Sequence, residues 1–442
     1  MQTPAYCLTD TIYALASGHG KGGVAVVRVS GAQSLTCLHK IAGLKNPRPR
    51  YAYFAPLQNA AGEMFDQALV LYFKAPHSFT GEDVVEFQIH GGFNVIQTLM
   101  QTLAQISGCR PAERGEFSRR GVIHGKMDLT QAEGILDLIN AETAHQRQQA
   151  FAQMTGSLSQ KYEAWRQLLV RHMAYLEAFI DFPEEDIPPE KQKQIDTDIA
   201  RLLDAINAHL DDDQSGQRLR TGFQIAIVGV PNVGKSSLIN ALTQRDVAIV
   251  STIAGTTRDI VEAHLDVDGF PVILADTAGL RDTAHEIESE GIRRAVKRAG
   301  DADLVIHVQD AADYPKTHPL PPELKNANVL TLWNKSDMNK IPRGHLAISA
   351  TTGAGLSDLW DKIRTILSNT FSKTSAGALT RERYRVSLMA CADALARALQ
   401  NDELELKAEE LRLAARSLGR IMGKIEVDEL LDIIFQDFCI GK

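Results

Sequence analysis

Hydrophobic residues recur in short runs from Thr11 to about Arg120, with Gly- or Pro-containing turns between the runs. Such runs are typical of β-strands. The clearest predicted strands are Val24–Val29, Ala68–Phe73 and Val84–Ile89. After them, apolar residues at helical spacing through Phe93–Ile106 predict a helix. The pattern therefore predicts a β-rich N-terminal domain.

Amphipathic helices are predicted in the next part of the chain. Apolar positions follow a helical period from about Leu129 to Ile180, and again over most of Lys191–Leu210. An acidic, proline-containing segment at residues 182–189 separates these two stretches. The polar run Asp211–Gly216 predicts a solvated hinge after the second stretch.

Strands alternate with helices from Gly222 to about Leu367, which is typical of a doubly wound α/β module. Residues 374–377 predict a second hinge, and the chain is helical again over 381–400 and 402–434. In the simplest topology these last helices pack on those of residues 129–210, so that the α/β module is an insertion. The predicted domain bounds are 1–124 for the N-terminal domain, 125–215 and 376–442 for the two parts of a helical domain, and 216–375 for the insertion.

Length and composition limit the class of protein. A chain of 442 residues suggests about three domains, and 44% hydrophobic with 23% charged residues is normal for a folded chain. The formal net charge of -8 argues against a protein that grips nucleic acid unaided, because such proteins are usually basic. Any RNA is expected to meet a local basic patch, or to bind with the help of another subunit.

The five cysteines lie far apart and include no C-x-x-C pair, so buried reduced thiols are expected rather than a zinc site or a disulfide framework. The first ten residues lack the basic and apolar regions of a signal peptide. No apolar run reaches the roughly 18 residues that a membrane span needs. We therefore expect a cytoplasmic protein without a membrane contact.

A phosphate-binding loop is indicated by Gly229-Val230-Pro231-Asn232-Val233-Gly234-Lys235-Ser236, which fits G-x-x-x-x-G-K-S/T. The loop follows the apolar run Phe223–Val228 and precedes a helix predicted from near Ser237, which is the context that the motif requires. Its backbone N–H groups would converge on the β-phosphate. Lys235 would contact the β- and γ-phosphates, and the Ser236 hydroxyl would bind Mg²⁺.

Four further segments follow in the order expected of a GTPase. They are the switch loop Gly255–Asp259, the strand-end run Asp276–Gly279, the run Asn334–Asp337 and the loop at Ser349-Ala350. Asp337 can accept hydrogen bonds from the N1 and N2 protons of guanine, while the Lys335 stem covers the base. Adenine lacks that pair of donors and would leave the carboxylate unpaired. The sequence therefore predicts a protein that binds GTP.

The hydrolytic step is predicted to differ from that of Ras-like enzymes, because Leu280 follows Asp276–Gly279 where those enzymes carry a Gln. Leucine cannot orient the attacking water, so another group must do so. Asn232 is a candidate ligand of a monovalent cation beside the phosphates, which could replace the charge of an arginine finger. The alternative is that the Asn232 amide only stabilises the loop.

With these residues, the chain resembles the MnmE (TrmE) family of bacterial tRNA-modification GTPases along essentially its whole length. Besides the GTPase segments, the resemblance is carried by Gly22–Gly31, Phe79–Gly92, Arg110–Ser118 and the C-terminal run Phe438-Cys439-Ile440-Gly441-Lys442. It implies a multidomain α/β and α protein. An N-terminal α+β domain would bind folate, resemble aminomethyltransferases and form a homodimer, and a central helical domain would carry an inserted Ras-like P-loop GTPase domain.

The resemblance also implies an activity. With a flavoprotein partner of the MnmG type, in a heterotetramer or larger assembly, the family adds a carboxymethylaminomethyl or aminomethyl group to C5 of the wobble uridine of tRNA. The carbon comes from a tetrahydrofolate donor (methylene-tetrahydrofolate), bound as its 5-formyl form. K⁺ and Mg²⁺ support GTP hydrolysis, and FAD belongs to the partner subunit rather than to this chain.

Matching motifs assign the implied roles to residues of this sequence. The K⁺ ligands fall on Asn232, Ser251, Thr256 and the backbone of Ile253, and the Mg²⁺ ligands on Ser236, Thr257 and, through water, Asp276. Glu288 is the water-positioning base. Folate contacts fall on Arg28, Glu86, Lys126 and Lys442, and Cys439 is a candidate for a chemical role. The GTP contacts are Asn232, Val233, Gly234, Lys235, Ser236, Ser237, Ser251, Thr252, Ile253, Ala254, Gly255, Thr256, Thr257, Asp276, Thr277, Ala278, Gly279, Asn334, Lys335, Ser336, Asp337, Ser349, Ala350 and Thr351.

Two features depart from the family pattern. The family commonly has Thr where Ser251 stands, which keeps the hydroxyl, and the proline-rich segment Asp310–Asn328 looks short for the helix usual there. Two basic clusters could contact tRNA phosphates, although a solvated surface is the expectation for both. They are Arg114, Arg119, Arg120 and Lys126, and separately Lys45, Arg48 and Arg50.

Two other classes of protein share some of these features. A ribosome-assembly GTPase of the Era or Der type shares the Asn in the phosphate loop, but such proteins carry a KH-like RNA module where this chain has helices. A free-standing folate-dependent aminomethyltransferase would have no use for a full set of GTPase segments. The leading hypothesis is a K⁺-stimulated GTPase subunit of a tRNA-modifying complex.

Overall fold

The computed structural model describes residues 9–18, 20–182, 189–212, 214–243, 248–249, 262–276, 296–372, 377–424, 431, 434–435, 438–439 and 441. They divide into two units. The first lies within Met1–Leu136, Ser159–Arg171 and Ala415–Lys442, and the second within Asp137–Leu158 and His172–Ala414. Each unit has its own hydrophobic core. In the described part of the chain, every helix is too short or too polar to cross a membrane.

A six-stranded sheet organises the first unit. Its strands are β1 (Thr11–Leu15), β2 (Gly22–Ser30), β3 (Tyr53–Gln58), β4 (Met64–Phe73), β5 (Val84–Gly91) and β6 (Cys109–Pro111). Their order across the sheet is β3-β4-β5-β2-β1-β6, and only β1 and β6 pair in parallel. The three strands predicted from the hydrophobic runs are confirmed as parts of β2, β4 and β5.

One face of this sheet carries the larger core of the first unit. Val27, Val29 and Phe87 are buried there, beneath the helices α1 (Ser34–Ala42) and α2 (Phe93–Ala104). The second of these helices confirms the prediction made from residues 93–106.

At β1, the opposite face is covered by α3 (Glu116–Ile123). Ile12 and Ala14 of β1 are buried on that face against Phe117. Because successive side chains of a strand point to opposite faces, Arg28, between Val27 and Val29, belongs to this second face.

The C-terminal residues pack within the first unit. Phe438 is buried in a cluster with Leu129, the first residue of α4 (Leu129–Asn140). Gly441 has a φ of +100°, and a Cβ there would collide with the carbonyl oxygen of Leu15 at the end of β1. Only glycine suits this position, because it has both the left-handed backbone and no side chain.

The second unit contains another six-stranded sheet. Its strands are β7 (Phe223–Val228), β8 (Ala248–Ile249), β9 (Glu262–Val267), β10 (Phe270–Asp276), β11 (Leu304–Asp310) and β12 (Val329–Asn334). The order is β12-β11-β7-β10-β9-β8, with the first four strands parallel and the last two added in antiparallel pairs. The helices α9 (Lys235–Thr243) and α10 (Leu356–Thr370) bury apolar residues against this sheet. The predicted alternation of strands and helices is confirmed.

Helices make up the rest of the second unit. They are α5 (Ala144–Met154), α7 (Pro189–Leu210), α8 (Ser215–Thr221) and α11 (Glu382–Gln400), while α4, α6 (Ser157–Asp181) and α12 (Leu404–Met422) contribute residues to both units. The helix α11 packs against α7. Lys407 of α12 pairs with Asp196 of α7, with 2.7 Å between Nζ and Oδ1. The predicted packing of the last helices on those before the sheet is confirmed.

Glutamines on one face of α5 bind the chain on both sides of the second sheet. Gln149 Nε2 donates to the carbonyl oxygen of Gly216 at 3.2 Å, before the sheet in sequence. Gln153 Nε2 donates to the hydroxyl of Tyr384 at 3.1 Å, after it. One helix therefore holds the chain where it leads into the sheet region and where it leaves that region.

The prediction of a solvated hinge at Asp211–Gly216 is wrong. Asp212 and Ser215 are buried, and the carboxylate of Asp212 accepts a hydrogen bond from Arg385 of α11. The negative charge of Asp212 is paired with the positive charge of Arg385 inside the protein. The polarity of the sequence does not indicate such a pairing. The second predicted hinge, at residues 374–377, falls largely outside the described residues.

Half of the first basic cluster is also placed wrongly. Arg119 and Arg120 are only 6% and 1% exposed, and Arg120 forms ion pairs of 3.0 Å with Glu82 and Glu116. These two side chains therefore lie in the interior of the first unit rather than on a solvated surface. The other basic residues are exposed, as expected; they are Lys45, Arg48, Arg50, Arg114 and Lys126.

The described cysteines are thiols outside any disulfide. Cys37 and Cys391 are buried, as predicted, but Cys439 is exposed. Cys37 and Cys109, distant in sequence, place their sulfur atoms 3.5 Å apart in the first unit. Burial and the neighbouring Cys109 raise the pKa of the Cys37 thiol, so it stays protonated at neutral pH.

Candidate functional site

A loop joins β7 to α9 at residues 229–234 and has no room for a side chain at either of its two glycines. A Cβ at Gly229 would collide with the carbonyl oxygen of Val308, and one at Gly234 would collide with the side-chain amide of Asn334. Asn232 and Gly234 have φ values of +64° and +93°. The loop therefore presents backbone groups at the N-terminus of α9, a geometry suited to an anion such as phosphate.

Lys235 places its ammonium group within this loop. Its Nζ donates to the carbonyl oxygens of Gly229 and Val230 at 2.9 and 3.0 Å. Helix α9 begins at Lys235, two residues before the start predicted from the sequence. Ser236 and Ser237 occupy its first turn, so the predicted phosphate-loop residues are brought together.

Asn334 joins the phosphate loop to the loop at Ala350. The Asn334 side chain is 2% exposed; its Nδ2 donates to the carbonyl oxygen of Val233 at 2.8 Å, and its Oδ1 accepts from the N–H of Ala350 at 3.0 Å. Both amide atoms are thus used, and the side chain fixes the spacing of three chain segments. The carboxyl ends of parallel strands meet at one edge of a sheet, which is why these segments are neighbours.

The residues after Asn334 are held by backbone bonds. Lys335 has a φ of +63°, and the N–H of Ser336 donates to the carbonyl oxygen of Ile348 at 3.0 Å. Asp337 is exposed, so its carboxylate can reach a ligand. Ser349 is buried, and its hydroxyl accepts from the N–H of Thr352 at 3.1 Å, which bends the chain around the position of Thr351. We call residues 229–237, 334–337 and 349–351 the nucleotide loops.

Several predicted contacts lie outside the described residues. They are Ser251, Thr252, Ile253, Ala254, Gly255, Thr256, Thr257, Thr277, Ala278, Gly279, Glu288 and Lys442. Asp276 is the last residue of β10, and its backbone is in register with Ile227 of β7. The strand that carries Asp276 therefore ends at the same edge of the sheet as the strand that leads into the phosphate loop.

Arg28 and Glu86 form an ion pair in the first unit. They face each other in the β2–β5 register, and Arg28 Nε donates to Glu86 Oε1 at 2.9 Å. The Arg28 guanidinium also lies 5.2 and 5.6 Å from the ring centres of Phe79 and Phe117. Both charged side chains are 17% exposed, so the pair is accessible but largely desolvated. We call these four residues the Arg28 face.

The C-terminal backbone lies beside the strand that precedes this face. Leu15, which contacts Gly441, is in register with Val27, next to Arg28 in β2. Cys439 accepts a backbone hydrogen bond from Gly115 at 3.4 Å. Lys126 is exposed and lies against Gly81, so the described residues that were predicted to contact folate are all in the first unit.

One neighbour of the nucleotide loops was missed in the sequence. Asp310, the last residue of β11, has its Oδ2 2.6 Å from Lys335 Nζ. A carboxylate at the end of a strand, parallel to the strand that ends in Asn334, is the signal that could have identified it. In the sequence, Asp310 stands out only as the first residue of the proline-rich segment.

Two family models match this chain. The MnmE helical domain matches residues 129–439, and the GTP-binding protein TrmE N-terminus matches residues 11–126. The tRNA modification GTPase MnmE of Paramagnetospirillum magneticum is 50% identical over 442 residues, which cover 98% of this chain and 100% of that protein. The mitochondrial 5-taurinomethyluridine tRNA synthase subunit GTPB3 of Rattus norvegicus is 43% identical, covering 98% of this chain and 93% of its own.

Solved structures match a smaller share of the chain. The G domain of the FeoB iron transporter of T. maritima is 30% identical and covers 32% of this chain and 97% of its own, with a TM-score of 0.25. Era of Aquifex aeolicus is 25% identical and covers 41% of this chain and 68% of its own, with a TM-score of 0.26.

Proposed function

Because this chain belongs to the MnmE family of tRNA-modification GTPases, we propose that it hydrolyses GTP as one subunit of a complex that modifies the wobble uridine of tRNA. The observation that carries the proposal is the side chain of Asn334, which ties a phosphate loop to the loop at Ala350. That link supports one continuous nucleotide site. The full-length match to proteins named as tRNA modification GTPases supports a role of this nucleotide site in tRNA modification.

Guanine is the base that these loops suit. The exposed carboxylate of Asp337 would accept from N1 and N2 of guanine, and the Lys335 stem would cover the ring. The Ala350 N–H is taken by Asn334, which leaves the loop in a fixed conformation before a ligand arrives. Fixed loops lose less freedom on binding, which favours affinity.

The donor groups also suit Mg²⁺ and K⁺. Ser236 at the start of α9, with Thr257 and a water on Asp276, would supply the oxygen ligands that Mg²⁺ prefers. Asn232, held at a φ of +64°, would present its amide to K⁺ together with Ser251, Thr256 and the Ile253 carbonyl. When bound, the two cations would neutralise charge that develops on the phosphates during hydrolysis.

Water activation in this proposal falls to Glu288, since Leu280 cannot orient a nucleophile. Lys235 would stabilise the transferred phosphoryl group from within its loop. The chain's own contribution to hydrolysis is then to position the phosphates, through backbone N–H groups and one ammonium group.

The Arg28 face is the proposed one-carbon site. Arg28 and Glu86 offer donors and an acceptor side by side, next to the aromatic rings of Phe79 and Phe117, which suits a flat polar heterocycle such as a pterin. Lys126 and Lys442 would complete the contacts to 5-formyltetrahydrofolate. The group would supply a methylene carbon, and Cys439 remains a candidate for chemistry there because it is exposed.

The proposed assembly is a homodimer that binds a flavoprotein of the MnmG type in the cytoplasm, with FAD on that partner. The formal net charge of -8 supports a role for a second protein in holding tRNA. GTP hydrolysis would then drive rearrangement of the complex rather than form the carbon–carbon bond at C5.

Mass spectrometry of wobble nucleosides, in tRNA from cells that lack this protein, tests the proposal. We expect carboxymethylaminomethyl and aminomethyl uridines to disappear while ribosomal subunits remain normal in a sucrose-gradient profile. Unchanged uridines together with accumulated ribosomal precursors would contradict it, and would favour a ribosome-assembly GTPase of the Era or Der type.

A further inference from the structure

Asp310 lies where the phosphate side and the base side of the nucleotide loops meet. It ends β11, in register with Asn334 at the end of the parallel strand β12. Since side chains at the ends of adjacent parallel strands are neighbours, this register places the Asp310 carboxylate next to the residue that follows Asn334.

Both oxygens of that carboxylate are engaged. Oδ2 lies 2.6 Å from Lys335 Nζ, and Oδ1 accepts the N–H of Ala312 at 3.0 Å, which caps the single helical turn Ala311–Asp313. The Asp310 side chain is 18% exposed and that of Lys335 is 36% exposed. Burial opposes ionisation of Asp310, but Lys335 and the Ala312 N–H outweigh it and lower the carboxyl pKa. The acceptor is therefore charged, and the capping bond fixes its orientation.

Lys335 is thereby held at both ends of its side chain. Its backbone has a φ of +63° directly after the buried Asn334, and its ammonium is paired with Asp310. A lysine stem has several rotatable bonds and loses their freedom when it lies flat on a ligand. A stem that is already fixed loses less.

We propose that Asp310 is a positioning residue for purine recognition, which holds the Lys335 ammonium so that the methylene stem covers the base. The inference rests on the proposed binding of GTP and adds to it a residue that does not touch the nucleotide. Asp310 also keeps a counter-charge beside the ammonium once a base has displaced water from the stem.

The competing explanation is an ion pair that only stabilises the fold. Partly exposed pairs contribute little to stability, so the two explanations differ in where the effect appears. A fold-stabilising pair changes the melting temperature whatever Lys335 does in binding. A positioning pair changes nucleotide affinity, and only while the ammonium is present.

The test is a double-mutant cycle on the full chain, with fluorescent GDP (a methylanthraniloyl derivative) as the probe. Asp310→Asn keeps the shape of the side chain and removes its charge, and Lys335→Met keeps a stem and removes the ammonium. Asp313→Asn is the matched control, because Asp313 lies three residues on and pairs with His318 rather than with the nucleotide loops. Melting temperatures are measured on each variant.

We expect Asp310→Asn to weaken GDP binding about 3- to 10-fold, through faster dissociation, while Asp313→Asn stays within about 1.5-fold of the unchanged chain. In the Lys335→Met background, Asp310→Asn should have no further effect. An equal loss of affinity in both backgrounds, or none in either, would overturn the proposal. If the unchanged chain did not bind the probe at all, the proposed GTP function would fail instead, which separates the two.

Discussion

Backbone groups line the nucleotide loops of the second unit, whereas charged side chains make up the Arg28 face of the first. Gly229 and Gly234 have no room for a Cβ, and the buried side chain of Asn334 joins the loops to one another. Arg28 and Glu86, by contrast, are 58 positions apart and meet across two strands. A site built from the backbone of short continuous segments can be recognised in the sequence as a motif with fixed spacing. A site assembled from side chains that are far apart in the sequence cannot.

We therefore expect that a substitution in one site weakens binding at that site and leaves binding at the other unchanged. The largest effect is expected at Asn334. Asn334→Ala would leave the Val233 carbonyl and the Ala350 N–H without their bonds, so we expect GDP binding to weaken on the order of 100-fold, roughly 3 kcal/mol. Isothermal titration with GDP measures this. Binding of 5-formyltetrahydrofolate, titrated on the same sample, should be unchanged.

Thr331→Ala is the control for that substitution, because Thr331 lies on the same strand β12 but is exposed. It should leave both affinities as they are. Equal loss of GDP and formyl-folate binding in Asn334→Ala would show that the two regions are not energetically separate.

The same contrast explains what the sequence could predict. The strand–loop–helix at residues 223–243 follows from an apolar run, glycine spacing and Lys235, and the structure confirms it with the helix beginning at Lys235. The local pattern did not predict that Asp212 and Arg120 are buried. Each pairs with an opposite charge that is far away in the sequence, Arg385 for Asp212 and Glu82 for Arg120. The sequence alone does not distinguish a solvated charge from a buried, paired charge, because the partner becomes a neighbour only in the folded structure.

The Arg28 face was accessible only through family resemblance, for the same reason. A single Arg in a strand is an ordinary residue, and only the β2–β5 register puts Glu86 opposite it. Asp310 was missed likewise, since its partner Lys335 directly follows the neighbouring strand β12. The roles of Glu86 and Asp310 therefore depend on strand pairing, which the sequence alone does not show.

The side-chain nature of the Arg28 face predicts a smaller and purely electrostatic effect. Glu86→Gln keeps the shape but removes the charge that faces a largely desolvated guanidinium, so we expect 5-formyltetrahydrofolate to bind about 10-fold more weakly. GDP affinity should stay unchanged. Glu63→Gln is the matched control, since Glu63 is an exposed carboxylate of the same unit. An unchanged folate affinity in Glu86→Gln would remove the Arg28 face as the one-carbon site.

The smallest predicted difference between the units is in the pH at which each loses stability. Burial, with the nearby His318, lowers the pKa of His307 in β11. Gln309 Oε1 accepts from the backbone N–H of His318, so Gln309 Nε2 must donate to the His307 ring, 2.8 Å away, which requires a neutral ring nitrogen there. The unfolded chain binds this proton below about pH 6.5, and the folded chain resists it. The second unit should therefore lose stability as the pH falls below about 6.5, until the lowered pKa is reached.

Glu116 of the first unit titrates in a more acidic window. Burial alone would raise its pKa, but the hydrogen bonds from Arg110 and the Glu113 N–H, with the charge of Arg120, outweigh burial and lower it. Its contribution to stability is complete above about pH 4.3 and is lost only as the pH falls below that value. Between pH 7.5 and 5 the second unit should therefore weaken first.

Thermal unfolding at pH 7.5 and 5.5 measures this, followed by the fluorescence of Trp333 and Trp360, which are buried in the second unit, in a Trp165→Phe background. The melting temperature should be lower at pH 5.5, and His307→Asn should remove most of the difference whatever it does to stability at pH 7.5. If the variant keeps the full difference, another group titrates in this window. The neutral His307 ring would then not be the reason why the second unit loses stability first as the pH falls.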